Sequence, residues 1–307
     1  MIFFRIVYAR RIVRAAVTVG LLLSFACCAA TSAVKKDAVA GNEFAVLPAG
    51  ALAYMRIDVK PSRGLVDDIL TRRKLNTKTV KTFFDRTDTA VAAVYPASNE
   101  SAGEGLRRFL MIAYGKNYPA ALSSFSLFFN PDWKKTKSVS GKKYWRYQKN
   151  HFSLFMQKNQ ARISDGDPFF TEDGAETPEI FNAFGADADV SAWITKPDFL
   201  NTALARMDIP ITVPALALFI SASKRGEDWQ ASFRLETPSQ AQARGLVSVL
   251  SLARNALAGA YIKDPELASL ARLLLSEPPS VDGNALILKS PSIPESVLAG
   301  LIVSFSI

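Results

Sequence analysis

The sequence predicts an α+β fold built from two related β-α-β-β-α units, with antiparallel sheets and amphipathic helices, behind a cleaved signal peptide. Two observations lead there. The 307 residues are 49% hydrophobic and only 21% charged, enough apolar material for a sizeable core in roughly two domains. The same order of apolar alternation and helical spacing then occurs twice along the chain, on a scale of about 130 residues.

Residues 1–26 read as a leader. Arg5, Arg10, Arg11 and Arg14 give a positive start, and Ala15 to Ala26 follow without a charge. Twelve residues are too few for a transmembrane anchor, since crossing the hydrocarbon core takes roughly 20. The stretch ends in Leu23-Ser24-Phe25-Ala26-Cys27-Cys28. It resembles a bacterial lipobox, a looser form with Leu23 displaced by one position, which implies that Cys27 carries the lipid and that residues 27–46 form a tether. Secretion with cleavage after Ala30 or Ala33 is the other reading.

Residues 47–163 are expected to form the first unit. Ala51 to Asp58 alternate as a strand, and Leu65, Val66, Ile69 and Leu70 mark a helix. Strands near Ala90 to Tyr95 and Arg108 to Tyr114 follow, and then a helix led by Pro119. The stretch 164–188, rich in Asp, Gly, Glu and Pro, is the expected connection. Residues 189–307 repeat the order: a strand at Asp189 to Thr195, a helix carrying Phe199, Leu200, Ala203, Leu204 and Met207, strands near Ala215 to Ser221 and Trp229 to Leu235, then a helix capped by Thr237 with Pro238 at its first position. Two further amphipathic segments, Leu267 to Leu275 and Val297 to Ile307, close the chain.

Charge divides the protein. Residues 35–164 hold 23 basic and 10 acidic residues, and residues 165–307 hold 10 basic and 18 acidic. From Trp133 to Ser164 there are nine cations and no carboxylate, interleaved with Trp133, Tyr144, Trp145, Tyr147, Phe152 and Phe155. Basic and aromatic residues in this order suit a polyanion. For an exported protein that means lipid head groups or acidic envelope polymers rather than nucleic acid, with Lys134, Lys135, Lys142, Lys143 and Arg146 as the contacts for anionic head groups. Read locally, Lys143 to Gln148 and Phe152 to Leu154 form an antiparallel hairpin around Lys149-Asn150-His151, whose cations only solvate one face and pair with the acidic second half.

The C-terminal helices are apolar on one face and small and neutral on the other. Leu246, Leu250, Leu257, Leu298 and Ile302 are therefore candidates for contact with membrane or with a lipid-like ligand. Ordinary packing against the sheet is the alternative.

Catalytic and metal chemistry lack their signatures. Two adjacent cysteines and one histidine, His151, cannot assemble a Cys/His zinc site or a disulfide framework within the chain. There is no G-x-S-x-G, no phosphate loop and no G-x-G-x-x-G. Ser221/Lys224 and Ser140/Lys143 match S-x-x-K without the partner motifs, and Asp165-Gly166-Asp167-Pro168 reads as a turn rather than a calcium loop. Asp67-Asp68 and Asp187/Asp189 would do acid-base work only if burial separated their pKa values. No enzyme activity, cofactor or metal is expected.

Leader and C-terminal helices together resemble treponemal outer-membrane lipoproteins. The residues carrying the likeness are Arg5 to Cys28, Ala243 to Tyr261, Leu267 to Leu275 and Val297 to Ile307. It implies an α/β body whose amphipathic helices enter the inner face of the outer membrane, with membrane lipid as partner through an N-terminal acyl anchor. The resulting expectation is a non-enzymatic, lipid-anchored envelope protein that associates with membrane or binds a lipid-like ligand. A periplasmic scaffold or assembly factor that binds a protein partner is the alternative.

Overall fold

Alternating and fully apolar runs dominate the chain, and both pair as strands. The computed structural model describes residues 44–74, 78–96, 108–116, 118, 128, 130–149, 152–170, 176, 178–185, 187–197, 201, 212–257 and 276–305, with backbone alone for 78–79, 180, 182–183, 252–257 and 301–305. Two compact units meet in sequence between Glu179 and Ile180.

The first unit contains β1 (Ala53–Asp58), β2 (Thr87–Tyr95), β3 (Arg108–Gly115), β4 (Trp133–Lys137), β5 (Lys143–Tyr147), β6 (Ser153–Met156) and β7 (Gln160–Ser164). Their spatial order is β1-β2-β3-β7-β6-β5-β4, and every pair is antiparallel. Phe109 to Ala113 of β3 are all buried, so this strand is covered on both faces. Helix α1 (Arg63–Arg72) buries Leu65, Val66, Ile69 and Leu70, each contributing about 1.5–3 kcal/mol relative to exposure. The Asp67-Asp68 pair lies on this helix and is engaged in i,i+4 ion pairs, Arg63 with Asp67 at 2.9 Å and Arg72 with Asp68 at 3.4 Å. A second helix, α2 (Lys78–Phe84), leads into β2. Here Gly115 is required by close approach, because a Cβ would sit 1.8 Å from the Arg86 carbonyl oxygen.

The second unit holds α3 (Glu179–Gly185), which begins one residue before it, then β8 (Val190–Ile194), β9 (Ala217–Arg225), β10 (Asp228–Glu236), α4 (Gln240–Leu257), β11 (Ser280–Asp282), β12 (Ala285–Lys289), β13 (Ile293–Pro294) and α5 (Glu295–Phe305), which ends one residue beyond it. The strand order is β11-β12-β10-β9-β8, and β13 also pairs with β10.

Two balanced β-α-β-β-α units are not what forms. The protein is 42% strand and 22% helix, mostly antiparallel sheet. Both units open with three antiparallel strands in chain order, yet neither then stops at a helix. In the first, β7, β6, β5 and β4 extend the β3 edge; in the second, β12, β11 and β13 extend the β10 edge. An exposed β3 or β10 edge would leave a row of backbone donors and acceptors unpaired, and these added strands satisfy them. The expected Pro119 helix and the Leu267 to Leu275 segment lie outside the described residues.

The join between β3 and β7 is tied by side chains. Ser164 donates from Oγ to the Phe109 carbonyl at 2.9 Å, and Asp165 Oδ1 accepts the Phe109 N–H at 3.0 Å. Burial pushes the Asp165 carboxyl up from 3.8 to about 6, outweighing the stabilising bond from Phe109. Its charge therefore weakens the fold above that value. Unfolding free energy is expected to rise by about 2–3 kcal/mol as pH falls through about 6 toward 4. Asp165→Asn should raise the thermal midpoint at neutral pH and flatten this dependence. Denaturant titrations at stepped pH check both, and a parent profile matched by the variant would contradict them.

Candidate functional site

The β4–β5 hairpin forms the outer end of the first unit's sheet. Its register pairs Trp133 with Tyr147, Lys134 with Arg146, Lys135 with Trp145, Thr136 with Tyr144 and Lys137 with Lys143. Directly opposite residues share a face, so the pairing sorts the cations. One face carries Lys135, Lys137 and Lys143 with Trp133, Trp145 and Tyr147. The other carries Lys134 and Arg146 with Tyr144.

Aromatic rings hold both faces. On the first, Lys135 Nζ lies 5.7 Å from the Trp145 ring centre, Trp133 packs on Tyr147 at 5.3 Å, and Phe152 meets Trp133 at 6.2 Å. On the second, Phe169 is buried against Phe155 at 4.7 Å, with Lys142 Nζ at 4.9 Å and Arg162 at 5.2 Å from its ring. Burial lowers the Arg162 pKa and raises that of Tyr144, the latter aided by the charge of Asp167. At the base, Lys149 pairs with Asp132 at 2.7 Å, and this hydrogen bond raises the lysine's pKa.

Charge is not balanced inside the hairpin. Lys134, Lys135, Lys137, Lys142 and Lys143 are exposed, and among the described residues none lies within 4.0 Å of a carboxylate. Two cross-strand pairs, Lys134/Arg146 and Lys137/Lys143, set like charges directly opposite each other, an arrangement that weakens a sheet. The bonds Gln148 N–H to Asp132 O and Ser138 N–H to Lys142 O fix the alternation. Lys137/Lys143 consequently occupies a non-hydrogen-bonded position, where side chains are closest.

The turn is well determined. Ser138 O accepts the Gly141 N–H at 3.0 Å, Ser138 Oγ accepts the Lys142 N–H at 3.1 Å, and the Ser138 and Ser140 hydroxyls share a 2.7 Å bond. Gly141 has φ +82°, a left-handed conformation that favours glycine. Val139 stands at the apex, fully exposed.

The C-terminal candidates separate. In α4, Leu246 is 8% exposed and joins Leu218, Leu235 and Leu286 in the core of the second unit, while Val247 and Leu250 pack partly buried against the same cluster. Ser239 Oγ caps α4 through the Gln242 N–H at 3.3 Å, two residues beyond the cap expected at Thr237. In α5, Ala299 is buried, Leu298 is half-buried and Val297 is exposed. Glu295 accepts bonds from Lys224 Nζ at 2.7 Å and from the buried Trp229 indole at 3.0 Å. The side chains of Leu257 and Ile302, and Cys27 and His151 entirely, lie outside the described residues.

The remaining polar motifs have structural partners. Asp189 Oδ2 accepts the Lys224 N–H at 2.6 Å, and Asp167 Oδ1 accepts the Phe169 N–H at 2.8 Å, making the Asp165 to Pro168 stretch a turn. No group of three His, Cys, Asp or Glu side chains poised for a metal occurs among the described residues, and no described helix is long and apolar enough to cross a membrane.

Comparison adds a fold relative. No protein-family model and no curated protein matches the chain. Three crystal forms of TP0453, a Treponema pallidum protein, do match. The fold resembles that of TP0453. Form III superimposes with a TM-score of 0.57 at 18% identity, covering 85% of this chain and 97% of TP0453. Forms IV and I give 0.55 and 0.52 at 17% and 18% identity, each covering 85% of this chain and 96% of TP0453. At such identity the likeness is one of fold.

The sequence singled out five of the hairpin cations as contacts, left Lys137 among the nine cations of the run, and left Val139 unremarked. The signal was present as Ser-Val-Ser-Gly between two lysine runs, but only the register shows which lysines oppose each other. For α4, Leu246→Ala is expected to cost about 2–4 kcal/mol of unfolding free energy, while Arg244→Ala on the exposed face stays within about 0.5 kcal/mol. Equal effects in denaturant titrations would remove Leu246 from the core.

Proposed function

We propose that this chain is a lipid-anchored, non-enzymatic protein of the bacterial cell envelope, held through Cys27 at the periplasmic face of the outer membrane and resting on a membrane surface or holding a lipid-like ligand. The observation that carries the reading is the β4–β5 hairpin, whose five exposed lysines have no carboxylate partner among the described residues. Anions approaching from outside would relieve the repulsion between its opposed like charges. Anionic head groups do so at about 1 kcal/mol per lysine. The leader supports export, and the fold shared with a treponemal protein supports an envelope setting.

One observation favours the scaffold alternative. Leu246 lies in the core rather than toward lipid, as ordinary helix packing requires. In that reading the cationic hairpin meets an acidic protein instead.

Two outcomes test the proposal. Replacing both cysteines, Cys27→Ala with Cys28→Ala, should abolish fatty-acid labelling and move the protein to the soluble fraction; membrane retention in high salt would refute the acyl anchor. The leader-cleaved, non-lipidated protein should sediment with phosphatidylcholine vesicles only when phosphatidylglycerol is present, and should be released as salt shortens the Debye length from about 10 Å to about 3 Å. Equal binding to neutral vesicles would refute the electrostatic reading.

A further inference from the structure

Cations on both faces of one hairpin are wasted if it lies flat, because a planar surface reaches a single face. Those nearest the turn, on both faces, are usable together if the hairpin points at the surface. We propose that the β4–β5 turn is a membrane-docking tip that enters the head-group layer of an anionic phospholipid bilayer end-on, Val139 leading and Lys137, Lys142 and Lys143 forming a collar behind it. The proposal rests on the membrane reading above and names the element through which that contact is made.

Three features combine at the apex. Val139 is fully exposed, although valine is a core-forming residue type. Its exposure does not come from slack: the Gly141 and Lys142 N–H groups donate to Ser138 O and Oγ, and these bonds, together with the Ser138–Ser140 hydroxyl bond, hold the turn that presents it. Below it, Lys137 and Lys143 oppose each other on one face, while Lys142 reaches over Phe169 on the other. This collar surrounds the apolar apex instead of flanking one side. Lys134 and Arg146 lie three residues deeper, about 10 Å from Lys137/Lys143 at about 3.3 Å per residue. Further back, Trp133 and Tyr147 pack together.

Charge complementarity selects the occupant. The apex has cations and one apolar group but no carboxylate, and a lipid interface offers phosphates with acyl chains just beneath them. A soluble polyanion would engage the collar and leave Val139 in water. A neutral lipid surface would take the valine and leave the lysines unpaired.

The test uses the leader-cleaved chain with Cys27→Ala and Cys28→Ala, and vesicles of phosphatidylcholine with or without phosphatidylglycerol. Val139→Trp places a reporter at the apex, read against the protein's own four tryptophans. Its emission should shift to the blue on adding phosphatidylglycerol vesicles and should be quenched by lipid brominated on the acyl chain. Lys137→Gln with Lys143→Gln should weaken vesicle binding roughly 25-fold, about fivefold per lysine. The same pair should raise the thermal midpoint, since it removes an opposed like-charge pair. Lys134→Gln, deeper in the hairpin, should cost less than about threefold. Val139→Asp should weaken binding about tenfold or more with an unchanged thermal midpoint.

Anionic-vesicle binding that persists while the Val139→Trp emission stays unshifted overturns the tip and leaves the membrane reading standing. So does binding that is indifferent to Lys137 and Lys143. If the parent protein binds no vesicle of either composition, both readings fall, and binding to heparin alone would then show a soluble-polyanion site.

Discussion

Burial of β3 on both faces is the constraint from which the rest of the first unit follows. From Phe109 to Ala113 every residue of this strand is buried, so none can be charged without a large desolvation cost. Once β3 is dry, its neighbours must supply the partners for its backbone, and the pairing with β2 and β7 assigns every nearby side chain to a face. Charge is thereby displaced outward along the sheet. By β4, two partners beyond β6, three of five residues are lysine and the outer backbone edge has no partner strand among the described residues.

The hairpin lives with this charge through its rings. Lys135 over Trp145, Lys149 over Tyr147, and Lys142 with Arg162 around Phe169 each place a cation against a π face, an attraction that needs no carboxylate. The apolar groups of the protein accordingly serve two ends. Leu246 closes a core in the second unit, whereas Val139 belongs to no core at all.

Much of the path was legible in the sequence. Alternation marked β1, β2, β3, β8, β9 and β10, and helical spacing with proline near the start marked α4 and the segment that becomes α5. What stayed hidden was the proportion of sheet. Trp-Lys-Lys-Thr-Lys has no apolar alternation and reads as a charge run, though it pairs as β4; Ser-Val-Asp is too short to carry a period, though it pairs as β11. Such strands form because an edge is waiting for them, and a local window contains no trace of the edge. The same limit applied to the site. Lysine content was visible, but the opposition of Lys137 to Lys143 depends on register, and the exposure of Val139 depends on a turn set by Ser138 and Gly141.

Helix α5 carries one charged residue in eleven, Glu295, and that residue is its mooring. The carboxylate satisfies the indole of Trp229, which is 0% exposed, and pairs with the ammonium of Lys224. Detaching the first turn would leave a buried N–H without an acceptor and uncouple two charges at once. No ionic tie of this kind exists farther along, because no other residue of α5 can make one. The electrostatic attachment of the helix is thus polarised: all of it sits in the first turn, and one carboxylate decides both whether an indole stays satisfied and whether an ammonium stays paired.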